Sequence, residues 1–310
     1  MLKKIVFMGT PLFAVPILKS LYQNGYQISA VYTQPPKKSQ RGQKINKSPV
    51  QGIAETLNLD FRIPKSLKDN TEEFEYFKSI NADLAIVVAY GQIIPKEFLS
   101  LTKKGFINIH ASLLPTWRGA APIQRSIMNL DKETGISIMK IEEKLDTGPV
   151  CNYYPIEITS KDSSETMSEK LSSLASKKIL DNIDNILDDK LEFKEQNHDG
   201  ATYAPKIKKS ESQINWDDNA ENIIGKINGL YQTPGAFFIY KGERYKILKA
   251  KLAYGIGKIG EVLDNYLEIG CGNKKSIKVL DIQRQGKKPQ NINEFMLGSQ
   301  IKKGSNLNNA

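Results

Sequence analysis

The chain has 310 residues, more than one compact domain usually holds, so two domains are the starting expectation. Hydrophobic residues make up 40% and charged residues 25%, enough for a packed core, and no apolar run reaches the roughly 18 residues of a membrane span. The net charge of +10 sits at the two ends: residues 1–54 hold eight Lys or Arg and no acid, and residues 201–310 hold 18 Lys or Arg against 10 Asp or Glu. Basic ends around a near-neutral middle suit either a polyanion laid across both domains or solubility alone.

In chain order, the start reads as a strand at 4–8 closed by Gly9, not as a cleavable leader; secretion is not expected, and the cytoplasm is the expected compartment. Further strands are predicted at 28–32, 84–89, 106–110 and 135–141, with helices between them at 13–23, 49–57, 71–80, 95–101 and 121–129. Ser48-Pro49 supplies a capping hydroxyl and then proline at the first helical position. Ala85-Ile86-Val87-Val88-Ala89 is apolar throughout, as suits a central strand covered on both faces. The alternation predicts an α/β domain built on a doubly wound parallel sheet, whose ligands bind beyond the carboxyl ends of the strands.

Residues 33–47 are long for a strand-to-helix connection and carry five basic residues and no acid. Both a surface insertion and a clamp for phosphates fit that composition. A long helix is predicted at 163–187 and a polar linker at 191–209. A helix at 220–230 follows, then short strands at 236–240, 245–250, 260–263, 266–270 and 277–282, the pattern of a small β-barrel or sandwich. The expected domains are therefore 1–190 and 210–310, joined by 191–209. Cys151 and Cys271 lack metal or redox spacing and read as inert, reduced thiols.

The chemistry centres on the strand ending Asn108-Ile109-His110. Side chains alternate along a strand, so Asn108 and His110 leave one face together at the carboxyl edge of the sheet. A histidine there is, by itself, more often a structural group with a satisfied hydrogen bond. A stiff loop follows, Ser112-Leu113-Leu114-Pro115, and Trp117-Arg118-Gly119 after it; downstream, Leu145-Asp146-Thr147-Gly148 puts a carboxylate in a tight turn.

These segments together, Asn108-x-His110-x-Ser112-Leu113-Leu114-Pro115, Gly119-x-x-Pro122 and Leu145-Asp146-Thr147-Gly148, resemble the signature of the formyltetrahydrofolate-dependent formyltransferase family. Gly9-Thr10-Pro11-x-Phe13-Ala14, Trp117-Arg118-Gly119-Ala120-Ala121-Pro122-Ile123-Gln124-Arg125, Ala201-Thr202-Tyr203-Ala204-Pro205-Lys206-Ile207 and Ile214-Asn215-Trp216 extend the likeness over nearly the whole chain. It is weakest beyond about residue 252, and these stretches are most similar to the members whose acceptor is charged initiator methionyl-tRNA.

The resemblance implies a Rossmann-like catalytic domain, a linker and a C-terminal OB-like β-barrel that helps hold tRNA. It also implies 10-formyltetrahydrofolate as donor co-substrate, with no metal. Asn108, His110 and Asp146 would be the catalytic residues. Asn108 would donate to the developing oxyanion, His110 would donate a hydrogen bond or a proton, and Asp146 would pair with the imidazolium and order the proton path. Ser112, Leu113, Leu114 and Pro115 would contact folate, residues 90–94 would border its pterin, and the basic 33–47 insertion, Arg41 above all, would touch the tRNA acceptor stem. Leu12 departs from the family, which commonly has an acid there.

The rivals explain less. A nicotinamide dehydrogenase would need a G-x-G-x-x-G turn where the chain has Gly9-Thr10-Pro11-Leu12-Phe13. An aminosugar-nucleotide formyltransferase would share the Asn–His–Asp set but leaves the basic insertion and tail unexplained. An RNA-binding protein without catalysis needs no such set. His198 reads as an exposed linker residue, Trp117 and Trp216 as packing residues, and a monomer free of any membrane is the expected state.

Overall fold

The computed structural model describes residues 3–39 and 44–308. The chain forms two compact units: residues 1–122, 134–156 and 168–204 in the first, and residues 123–133, 157–167 and 205–310 in the second.

The strands and helices of the first part, in chain order, are β1 (Lys4–Gly9), α1 (Val15–Gln23), β2 (Gln27–Tyr32), β3 (Lys37–Ser39), β4 (Lys44–Asn46), α2 (Pro49–Thr56), β5 (Phe61–Arg62) and α3 (Thr71–Ile80). Then come β6 (Leu84–Val88), α4 (Lys96–Leu99), β7 (Phe106–His110), β8 (Arg118–Gly119), α5 (Pro122–Met128), β9 (Glu133–Lys140), β10 (Val150–Glu157), α6 (Ser164–Leu187) and β11 (Tyr203–Ala204). The main sheet has the order β10-β9-β7-β6-β1-β2-β5. Strands β5, β2, β1, β6 and β7 are parallel, and β9 runs antiparallel to β7. The doubly wound parallel sheet is thus present, with an antiparallel extension beside the strand that carries Asn108 and His110.

Local chemistry accounts for these elements. β6 is buried at every position, so both its faces need apolar side chains. Ser48 caps α2 by accepting from the Gln51 amide at 2.9 Å, and Pro49 follows it at the first helical position. One face of the sheet packs Val6, Met8, Ala85 and Val87 against Phe77 of α3 and Phe98 of α4. There Phe77 stacks on Phe106 at 5.6 Å and meets Phe98 edge-on at 5.7 Å. α1 buries Ile17, Leu18 and Leu21, and is tied to α6 by Ser20 Oγ donating to the Ser176 carbonyl at 3.0 Å.

The 33–47 connection contains a hairpin: β3 pairs antiparallel with β4, Lys37 opposite Asn46 and Ser39 opposite Lys44. Thr33 Oγ1 and Ser48 Oγ hydrogen-bond at 2.6 Å where the connection leaves and rejoins the sheet domain. Arg41 lies outside the described residues.

In the second unit α7 (Ala220–Gly229) precedes β12 (Phe237–Tyr240), β13 (Glu243–Ala253), β14 (Glu268–Gly270), β15 (Ser276–Arg284), β16 (Gln290–Asn291) and α8 (Ile292–Leu297). The antiparallel sheet has the order β12-β13-β15-β14, with β16 also on β15. Register shifts at Ile247/Lys249 and Lys249/Ala250 bend β13, giving the curled half-barrel of an OB-like domain, open rather than closed. Its core stacks Phe238 on Tyr245 at 5.4 Å and sets Trp216, itself buried, beside Phe238 at 5.9 Å. The strand predicted at 260–263 is reduced to isolated bridges at Glu261 and Val262.

Candidate active site

β7 ends at the carboxyl edge of the sheet, and its alternation delivers Asn108 and His110 to one side, as their spacing requires. Asp146 meets them there from the turn after β9. Asn108 Nδ2 lies 3.5 Å from Asp146 Oδ1, and His110 Nδ1 lies 3.8 Å from Asp146 Oδ2. The structure therefore brings the three sequence-nominated residues together. Asp146 is a non-glycine residue at φ +53°, and its Oδ2 also accepts from the Gly119 amide at 2.8 Å.

The tautomer of His110 follows from its other partner. Nε2 is 3.0 Å from the Trp117 carbonyl, which can only accept, so Nε2 carries a proton. Nδ1 is beyond hydrogen-bond distance of Asp146 and is the ring atom available to a reacting group. His110 is only 6% exposed, so whatever reaches it does so at one edge of the ring.

The 112–115 loop is rigidly built. Ser112 Oγ donates to the Thr116 carbonyl at 2.5 Å. The Ser137 hydroxyl donates to the Ser112 carbonyl at 2.7 Å and accepts from the Leu114 amide at 3.0 Å. Leu114–Pro115 is cis. Ser112 and Leu114 are buried, whereas Leu113 and Pro115 are half-exposed, so the latter two offer the loop's accessible side-chain surface. At the ends of β1, β2 and β6, Thr10 Oγ1 donates to the Tyr90 carbonyl at 2.7 Å. Gln34 Nε2 donates to the carbonyls of Tyr90 and Gly91 at 3.0 and 2.7 Å. Tyr90 is buried, and burial raises its phenol well above the usual range; Ile93 is 88% exposed.

Three residues around the site were not nominated by sequence. Thr202 Oγ1 accepts from the Trp117 amide at 2.8 Å, and Gln196 bonds both Arg118 and the Asp146 turn. Arg118 is 2% exposed, its guanidinium directed inward. Gln196 and Thr202 lie in a polar stretch without periodicity, which is why it reads as a linker; the Ala-Thr-Tyr-Ala-Pro run was the one signal that it belongs to the site's frame. His198 is exposed, as expected, but its Nδ1 accepts from Arg118 Nη2 at 2.9 Å. Among the described residues no group of three or more His, Cys, Asp or Glu could hold a metal ion.

Comparison with known proteins matches two family models: "Formyl transferase" over residues 3–183 and "Formyl transferase, C-terminal domain" over residues 206–300. A methionyl-tRNA formyltransferase of Pelagibacter ubique (strain HTCC1062) is 72% identical over 309 residues, covering 100% of both chains. One of Jannaschia sp. (strain CCS1) is 43% identical over 304 residues, covering 98% of this chain and 99% of its own. Among solved structures, the sugar 3N-formyltransferase WlaRD, crystallised with dTDP and 5-N-formyl-THF, superposes with a TM-score of 0.69 at 20% identity, over 93% of this chain and 100% of that one. An N-formyltransferase of Helicobacter canadensis, in complex with folinic acid and dTDP-3-aminofucose, gives 0.69 at 20% identity over 90% and 99%. At that identity the two structures speak for the fold alone.

Proposed function

The chain belongs to the formyl transferase family, and from that premise we propose that Asn108, His110 and Asp146 carry formyl from 10-formyltetrahydrofolate to the α-amine of methionyl initiator tRNA. Formylation of methionyl-tRNA is the reaction of its full-length relatives and of this chain. The observation that carries the proposed roles is the convergence of an amide, an imidazole and a carboxylate at the end of β7.

The amine nitrogen attacks the formyl carbon, and the carbonyl oxygen takes the negative charge. Asn108 Nδ2 donates to that oxygen; one such donor is typically worth about 3–4 kcal/mol of barrier. As the new C–N bond forms, the bond to the folate N10 breaks, and N10 leaves with the proton that the amine gives up. His110 Nδ1, the free edge of the ring, handles that proton or donates a hydrogen bond to the oxyanion. Asp146, fixed by the Gly119 amide 3.8 Å from Nδ1, orders the proton path, while the Trp117 carbonyl orients the ring. The 112–115 loop offers Leu113 and Pro115 to the folate, on a backbone that Ser112 and Ser137 hold; residues 90–94 border the pterin.

The basic 33–47 insertion, with Arg41, and the C-terminal half-barrel would bind the tRNA. We take the functional division as catalytic 1–190, linker 191–209 and tRNA-binding 210–310, in a monomer acting in the cytoplasm where charged tRNA is made. No described helix is long and apolar enough to cross a membrane. The test is steady-state formyl transfer by Asn108→Ala, His110→Ala and Asp146→Asn: each should lose kcat with little change in KM for the tRNA. Parental kcat in all three would remove the proposed roles.

A further inference from the structure

Gln196 lies in the stretch that sequence reads as a linker, yet it is 5% exposed and its whole amide is engaged. Nε2 donates to the carbonyls of Asp146 at 3.0 Å and Gly148 at 2.7 Å. Oε1 accepts from Arg118 Nε at 3.1 Å and Nη2 at 2.6 Å. Four bonds use both donors and both lone pairs of the carboxamide, so it has one orientation.

Arg118 closes the circuit. The residue before it, Trp117, gives its carbonyl to His110 Nε2; the residue after it, Gly119, gives its amide to Asp146 Oδ2. Arg118's own guanidinium turns away from both and grips Gln196 and His198 Nδ1, which are uncharged acceptors. Holding a cation among neutral acceptors with so little exposure is costly, and such an arrangement earns an explanation beyond packing. Asp146, meanwhile, sits at φ +53°, a left-handed conformation that aspartate adopts more readily than most residues and that the bonds to its carbonyl and carboxylate help to hold.

We infer that Gln196 and Arg118 are positioning residues for formyl transfer: the Gln196 carboxamide, oriented by the buried guanidinium, holds the turn that presents the Asp146 carboxylate to Asn108 and His110. This rests on the role proposed for Asp146. Gln196→Glu separates positioning from folding. It keeps the side chain's size and an acceptor for Arg118, and it gives that cation a counter-charge. It also turns a carboxylate oxygen toward the carbonyls of Asp146 and Gly148, where two N–H donors stood.

Single-turnover transfer of labelled formyl to charged initiator tRNA, with steady-state KM values beside it, provides the test. Parent, Gln196→Glu, Asp146→Ala and the double variant are compared, and Gln196→Met, which deletes all four bonds at similar volume, replaces Gln196→Glu if the latter melts early. The expected result is a fall in rate of about 10- to 100-fold, with KM for both substrates within about twofold. In the Asp146→Ala background the Gln196 substitution should cause no further loss, because it acts through a carboxylate no longer there. A folded Gln196 variant at parental rate, or a loss that persists undiminished without Asp146, overturns the inference. Parental activity of Asp146→Ala itself would instead overturn the underlying reading of the site.

Discussion

With Nε2 of His110 held by the Trp117 carbonyl, only Nδ1 remains to serve a reacting group. Replacing His110 by alanine should therefore lower kcat about 10²- to 10⁴-fold, the usual contribution of a positioned acid or base. Asn108→Ala should cost about 10²- to 10³-fold, as expected when one oxyanion donor is lost. Both effects would be read in kcat rather than in KM for the tRNA. The two thiols make a contrasting case. Burial pushes Cys151 and Cys271 up to about 11, so neither is a thiolate near neutral pH. Iodoacetamide at pH 7.5 should leave both unmodified by mass spectrometry while the protein is folded, and should label both in denaturant. At this scale the Asn108 and His110 pairing was readable because a strand's two-residue period fixes which side chains share a face. Gln196 and Thr202 were not, because contacts 50 and 85 residues distant in sequence leave no local pattern.

Short elements tie the site together more than long ones do. β8 and β11 pair Arg118 with Tyr203 and Gly119 with Ala204, two residues a side, and this bridge aims the 117–119 backbone at both His110 and Asp146. Gly119 lies at φ +120°, and a Cβ there would stand 2.8 Å from the Ala204 carbonyl oxygen. Gly119→Ala should destabilise the protein by about 1–3 kcal/mol and depress kcat, checked by urea unfolding beside the transfer assay. Phe77→Ala, in the aromatic cluster under the sheet, should cost about 3–5 kcal/mol without a site-specific effect on kcat. The long apolar elements were legible from periodicity. β10 was not: beyond Val150 its positions are half-buried or exposed, and it carries Pro155, which demotes a strand prediction. β5, at two residues, is below what periodicity can detect. The 33–47 connection reads as a loop because its hairpin strands are polar and lysine-rich, and Val262-Leu263 after Gly260 reads as a strand where the structure has only the bridges at 261–262.

For the whole molecule, the informative quantity is charge. The net value of +10, with +8 of it in residues 201–310, suits a polyanionic acceptor whose binding releases counterions. KM for charged tRNA should accordingly rise steeply between 50 and 200 mM salt, roughly 10- to 100-fold, while kcat at saturating tRNA stays nearly constant. Arg41→Ala should raise that KM and flatten its salt dependence. The family follows from identity maintained over the entire chain, and the α/β class was already legible in the alternation of apolar strands and helices. The proposed roles stand or fall on whether the residues at the end of β7 perform the transfer. The most direct measurement is transfer of labelled formyl from 10-formyltetrahydrofolate to charged initiator tRNA by the parent protein and by His110→Ala. The parent should transfer formyl rapidly, and His110→Ala should lose transfer almost completely while still folding and binding tRNA. Equal rates in the two, or transfer to a sugar-nucleotide amine in place of the tRNA, would contradict it.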